Sequence, residues 1–416
     1  MAYAEAPPQP LGRNRDFLLL MLGQAGSLVG SSMTTLALAM LAYAITESAA
    51  LAGVVSAVYG VGLAAMMLPA GAIVDRVDRK KVMIVTATGG AVVLVSIPVA
   101  AAMWSVTFPH LIVVAGLGGA LTCFYNPAEI AALKEVVPPV QMGTAMAANQ
   151  GRGAIASLIG PPAAALLYGI GRTLPFLIDA LTFAIAAVCT AMVRRPLPAP
   201  QRPRSQSLAR DVVEGVGWLR RARPVRDLVV STMVSNIAFT GAATTVLLAL
   251  QQGGTPPSQL GLLQASYGLA GIAGSLLASA VLRRATVGAI VRSVFWLLAG
   301  FQLFLTLHAS IWWLGLFVAL GYLVVGPSNT AMSAYQVHVT PPTMLGRSEA
   351  AASFGRVVMI PIGSSFAGVL LEAVGRVPTT LVFAAVMGVA ATIATFSRPL
   401  RSTPKTTELH TIDPLR

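Results

Sequence analysis

The stretch Ala49–Lys81, AALAGVVSAVYGVGLAAMMLPAGAIVDRVDRKK, decides the architecture of this chain. From Ala49 to Val74 there is no charged residue, and about 20 mainly apolar residues suffice for a helix to cross the hydrocarbon of a bilayer. The run stops at Asp75 and gives way to Arg76, Arg79, Lys80 and Lys81. A long uncharged segment closed by a basic cluster reads as a spanning helix that ends at the cytoplasmic leaflet. Gly71 allows a second helix to approach closely there, Asp75 can face the positive N-terminal end of another helix, and the basic run suits an anionic surface.

The same pattern repeats along the whole chain. Only 10% of the residues are charged and 56% are hydrophobic, whereas a soluble domain carries about 25% charge. So little charge cannot coat a soluble surface. Apolar runs predict spans at 17–44, 49–74, 82–104, 108–133, 144–168, 173–193, 227–250, 258–281, 287–308, 311–335, 348–371 and 376–396. They lack the period-2 alternation of barrel strands, so the fold class is an all-α integral membrane protein of twelve helices. Residues 1–16 hold no signal-peptide core and form a short tail, as do residues 397–416. With the N-terminus in the cytoplasm, 23 of the 28 Arg and Lys residues fall inside, two outside and three within spans. This asymmetry puts both termini in the cytoplasm of a multi-pass inner-membrane protein, and it accounts for a net charge of +13 without invoking nucleic acid.

The Pro/Arg/Ser-rich connection at 194–226 divides the chain into halves at 17–193 and 227–396, and a short amphipathic helix is expected in it at the membrane surface. The halves are related in sequence. Gly151-Arg152 through Gly171-Arg172 matches Gly355-Arg356 through Gly375-Arg376 at a constant offset, and Tyr59-Gly60 matches Tyr267-Gly268. Asn126 aligns with Asn329, and Pro138-Pro139 with Pro341-Pro342. Such parallel repeats imply two pseudo-symmetric six-helix halves with the substrate site between them.

Gly71-Ala72-Ile73-Val74-Asp75-Arg76-Val77-Asp78-Arg79-Lys80-Lys81 resembles the loop signature of the major facilitator superfamily, with Asp78 where the pattern has its second glycine. That departure, Asn14-Arg15-Asp16-Phe17 ahead of Gly23-Gln24, and Asn126-Pro127-Ala128 resemble the branch containing macrolide and enterobactin exporters. The resemblance implies a central cavity lined by the first, fourth, seventh and tenth spans. It also implies a conformational lock made of Gly71, Asp75, Arg76, Arg79 and Lys80. Gly160 and Pro161 in the fifth span, with Pro162, provide close packing and a helix bend, and partly resemble the superfamily's antiporter signature.

Ionisable residues inside spans are costly and therefore candidates for function. Glu129 and Arg152 lie at matching depths and form the candidate proton-coupling pair; Asp179 reads as structural. The uncharged cavity candidates are Gln24, Ser27 and Ser31 in the first span, Tyr125 and Asn126 in the fourth, Asn236 and Thr240 in the seventh, and Tyr322 and Asn329 in the tenth. Cys123 and Cys189 lie inside spans and fit neither a disulfide framework nor a metal site. His110, His308, His338 and His410 are expected in loops or the tail, and no nucleophile/base set is evident, so neither an enzyme nor a cofactor is expected. The functional expectation is a monomeric secondary transporter that exports small lipophilic or amphipathic compounds in exchange for protons. The alternative is a proton-coupled importer of a small nutrient.

Overall fold

The computed structural model describes residues 10–74, 76–103, 105–197, 208–341, 344–401 and 403, with the side chains at 68, 71, 72, 126, 139, 208–213, 345 and 346 outside that description. Among the described residues, twelve helices are long and apolar enough to cross a membrane. The first six are α1 (Arg15–Thr46), α2 (Ala49–Val74), α3 (Arg79–Met103), α4 (Phe108–Val136), α5 (Met142–Ile170) and α6 (Leu174–Met192). A short helix, α7 (Leu208–Arg221), precedes α8 (Arg223–Gln252), α9 (Pro257–Arg284), α10 (Val287–Phe304), α11 (Ile311–Val339), α12 (Leu345–Val374) and α13 (Arg376–Phe396). One further turn, α14 (Arg398–Arg401), closes the described chain. Each expected span coincides with one helix, and α8 begins four residues earlier than expected. An even number of crossings brings both chain ends to one side, called the terminal face below.

Helix starts are set by local chemistry. The first N–H groups of a helix have no partner within it, and at three helix starts a side chain supplies one. Asn14 accepts from Phe17 N at 3.1 Å, and Thr286 and Ser310 do the same for Ala289 and Trp313. The Asn14 amide also donates to the Val136 carbonyl at the end of α4, and Asp16 accepts from the Arg194 and Arg195 amides beyond α6. The Asn-Arg-Asp-Phe stretch is thus a clasp that gathers three helix ends on the terminal face.

The two halves pack alike. In the first, α1 lies on α5 and α6, α2 on α4, and α3 on α4 and α6; in the second, α8 lies on α12 and α13, α9 on α11, and α10 on α11 and α13. The halves meet through α2 against α12 and α5 against α9. These seams repeat each other residue by residue. Gly60 packs on Pro361, where a Cβ would meet the ring at 3.1 Å; Gly268 packs on Ser157, where it would meet the carbonyl oxygen at 3.1 Å. Ser157 and Pro361 are equivalent at the offset that relates Arg152 to Arg356. On the face opposite the termini, Glu372 at the end of α12 accepts from Ser48 Oγ at 2.6 Å and Ala50 N at 2.9 Å at the start of α2.

The amphipathic helix of the connection, α7, docks on protein. Glu214 pairs with Arg347 at 2.6 Å, Gly215 lies against the Arg347 carbonyl, and Leu219 is buried in the core of the second half. The amphipathic helix expected in the connection is present, and part of its apolar face covers the start of α12.

Candidate functional site

The loop after α2 is built by its charges. Val74 is buried and ends the helix; Gly71 and Asp75, expected in the lock, lie outside the described side chains. Arg79 is 7% exposed and donates to the Ala131 carbonyl at 3.3 Å and to Glu135 at 3.0 Å, tying α3 to α4. Lys80 donates to the Val193 carbonyl at 2.8 Å, tying α3 to the end of α6. These two cations are used within the protein, leaving Arg76 and Lys81 exposed. The Asp78 carboxylate accepts from the amides of Lys80 and Lys81 and caps α3. An acidic residue in place of the pattern's glycine therefore has a local cause.

Deeper in the first half, α4 and α5 bring Glu129 and Arg152 together. The guanidinium fork meets the carboxylate in a bidentate pair, Nη1 to Oε1 and Nη2 to Oε2, both at 2.7 Å. Nη2 also donates to Asn149 Oδ1 at 2.6 Å, one turn back on α5. Glu129 is 1% exposed, and Gln24 of α1 lies within side-chain reach of it. The Gln24 Oε1 atom is buried without a partner. A charge pair in lipid survives only with such geometry, because desolvation offsets most of the Coulomb gain.

In the second half, Arg356 Nη2 donates to Glu349 at 2.7 Å and Ser353 at 2.8 Å, while Asn236 of α8 caps its carbonyl at 3.0 Å. This pair is far more open: the Glu349 side chain is 44% exposed. Asp179 sits between α6 and α1, accepting from Thr34 at 2.5 Å and Thr182 at 3.2 Å. Gly30 makes the room, since a Cβ there would lie 2.0 Å from the carboxylate.

The cavity candidates separate into groups. Gln24 and Ser27 are buried and Ser31 is half-buried along α1. Tyr125 turns toward Thr190 of α6 at 3.5 Å, and the Asn126 side chain is outside the described set. Tyr322 of α11 stacks on Tyr267 of α9 at 5.3 Å and meets Phe239 of α8 edge-on at 4.8 Å. Thr240 is half-buried on α8, and Asn329 is exposed on α11. Gly160 packs against Ser32 of α1, while the backbone at Pro161 and Pro162 lies against Gly261 of α9. The bend residues thus stand at the junction of α1, α5 and α9. Among the described residues, no three His, Cys, Asp or Glu side chains converge as a metal set would.

The sequence profile of the Major Facilitator Superfamily matches residues 20–284, more than half of the chain. The chain belongs to the major facilitator superfamily. Macrolide efflux protein A of Streptococcus pyogenes is 27% identical over 272 residues, covering 63% of this chain and 65% of that protein. The match thus spans just under two thirds of that relative. Among solved structures, the nucleoside transporter NupG superimposes with a TM-score of 0.73 at 15% identity, covering 94% of this chain and all of the other. A bacterial homologue of the iron transporter ferroportin, in an inward-facing state, gives 0.75 at 12% identity, covering 93% and 99%. At these identities the structural likeness speaks to the superfamily fold alone.

Several contacts of this superfamily member leave no trace in its sequence. Tyr267 is the repeat mate of Tyr59, but its stacking on Tyr322 needs the α9–α11 contact. Asn149 and Ser353, each three residues before its arginine, were legible as helix neighbours. Glu372 and Ser48 are 324 residues apart and left no local signal. His110, read as a loop residue although the expected span begins at 108, lies in the first turn of α4 and bonds Ser96 of α3 at 2.9 Å. His338 ends α11 rather than a loop.

Proposed function

We propose that this transporter exports small lipophilic or amphipathic molecules across the cytoplasmic membrane in exchange for protons, by alternating access between its halves. The terminal face is cytoplasmic in this reading, and the chain works as a monomer. The observation that carries it is the buried Glu129–Arg152 pair, a carboxylate in a membrane-embedded half whose partner has a second place to go. If Glu129 takes a proton, Arg152 keeps its bond to Asn149, so the guanidinium is not stranded. An ionisable group so buried is a candidate carrier by default. Export is supported by the relative's description as a macrolide efflux protein, and a cavity without a fixed carboxylate suits neutral or amphipathic cargo.

The lock belongs to the same proposal. Asp75 follows the buried Val74, and Ser348 at the start of α12 is fully buried on the same face. A carboxylate placed at that helix start stabilises the state open to the outside, with Gly71, Arg76, Arg79 and Lys80 shaping the loop.

The alternative, proton-coupled import of a small nutrient, needs the same fold and the opposite direction. Accumulation of a labelled lipophilic panel, a macrolide included, in cells with and without the protein separates them. Export predicts lower accumulation that a protonophore restores; import predicts higher accumulation that a protonophore abolishes.

A further inference from the structure

One groove lies outside all the chemistry described so far. Between α10 and α13 there is a surface groove of about 770 Å³ lined by Arg292, Trp296, Gly300, Phe304, Thr395 and Arg401, among others. The α10 residues recur every four positions, Arg292, Trp296, Gly300, Phe304, so they stand in one row on a helix face. The order along that row is cation, indole, gap, ring. Arg292 lies five residues into α10, about 7.5 Å from its start at the terminal face, and Arg401 follows α13 at that same face. Both guanidinium groups therefore lie toward the terminal-face end of the groove, within a long side chain's reach of the lipid headgroups. Gly300 lies about 12 Å further along the helix, in its apolar second half, and Phe304 is its last residue.

Among the described residues, no group neutralises the charges in the groove. Arg292 is half-buried within a spanning helix and has no hydrogen-bond or ion-pair partner among the described residues. Arg401 spends its Nε on the Thr395 carbonyl at 2.6 Å and lies over the Phe396 ring, and no carboxylate among the described residues lines the groove. Trp296 is fixed by Nε1 donating to Thr395 at 3.1 Å, although half of its surface is open. Gly300 leaves the gap: a Cβ there would meet nothing within 4 Å. An uncompensated guanidinium in the membrane demands an anion, and the anion present at that depth is a lipid phosphate.

We propose that this groove binds one anionic phospholipid, with its headgroup between Arg292 and Arg401 and an acyl chain passing Trp296 into the gap at Gly300. The lipid holds α10 and α13 together from the membrane side. The inference depends on the spanning arrangement of the helices and not on what the transporter carries or in which direction.

Native mass spectrometry of the purified protein tests it, with phosphatidylglycerol, phosphatidylcholine of the same chains, and inorganic phosphate as probes. Phosphatidylglycerol is expected to be retained in preference to phosphatidylcholine, and Arg292→Gln to weaken that retention roughly fivefold. Gly300→Leu, which adds bulk only to open space, is expected to remove the bound lipid while both arginines remain and the protein stays monodisperse. Retention equal to wild type in both variants, equal retention of the two lipids, or displacement of phosphatidylglycerol by inorganic phosphate alone would overturn the proposal.

Discussion

Arg152 and Arg356 occupy equivalent positions in the two halves and meet different surroundings. Arg152 finds a carboxylate from a neighbouring helix, 1% exposed, and grips it with both arms. Arg356 finds one from its own helix, seven residues back, and leaves it half in water. The residue of α11 equivalent to Glu129 is Met332, so the second half has no acid to bury there. The seams between the halves, by contrast, are kept symmetric to the level of single glycines. The scaffold repeats between the halves, while the asymmetry of the arginine partners leaves the buried ion pair in the first.

Removing one partner of each pair is the largest test of that difference. Arg152→Ala leaves Glu129 buried and alone, which costs roughly 3 to 5 kcal/mol. Arg356→Ala frees a carboxylate already open to water, and about 1 kcal/mol or less is expected. Thermal unfolding of the two purified variants in detergent measures both, and equal losses would mean that the two sites are alike after all.

The symmetric seam is probed next. Gly268→Leu drives a side chain into the Ser157 carbonyl, for which roughly 1 to 3 kcal/mol of overpacking is expected. Transport should fall, while Gly143→Leu, which meets nothing within 4 Å, should leave it unchanged. Normal transport in Gly268→Leu would show that the seam opens at that level.

Smaller effects are expected from the latches. Glu372→Ala removes two hydrogen bonds between the halves, and single-cysteine labelling near Ser48 should rise several-fold. Asp75→Asn should fold normally and shift labelling toward the inward-open pattern several-fold, matching the roughly 0.3 to 1 kcal/mol of a carboxylate at a helix start. An unchanged labelling pattern with normal export would remove Asp75 from the lock.

Much of this molecule was legible in its sequence because lipid enforces a simple rule. Backbone groups must bond internally, so a run such as 49–74 can only be a helix, and Arg and Lys mark its ends. The repeat was legible in Arg152 and Arg356 and in Tyr59 and Tyr267. The Glu129–Arg152 pair followed from depth along two adjacent spans. What stayed hidden depends on which side of a helix faces which neighbour. Tyr125 has a position on its span but no visible partner in sequence, and it turns to Thr190; α7 is legible as an amphipathic helix, but not its docking on α12. In a uniformly apolar helix the period-3.6 signal is weak, so sequence gives depth well and azimuth poorly.

The central claim is that the buried pair in the first half couples protons to export. It is tested most directly in energised inverted membrane vesicles by following the pH gradient with a fluorescent dye while a macrolide is added. The comparison is between wild type and the double variant Glu129→Gln with Arg152→Gln, which removes both charges together and leaves neither unpaired. The account predicts that wild type dissipates the gradient when the compound is added and that the double variant, folded and able to bind it, does not. Gradient loss of the same size in the double variant would contradict the account and leave the pair as a brace between α4 and α5.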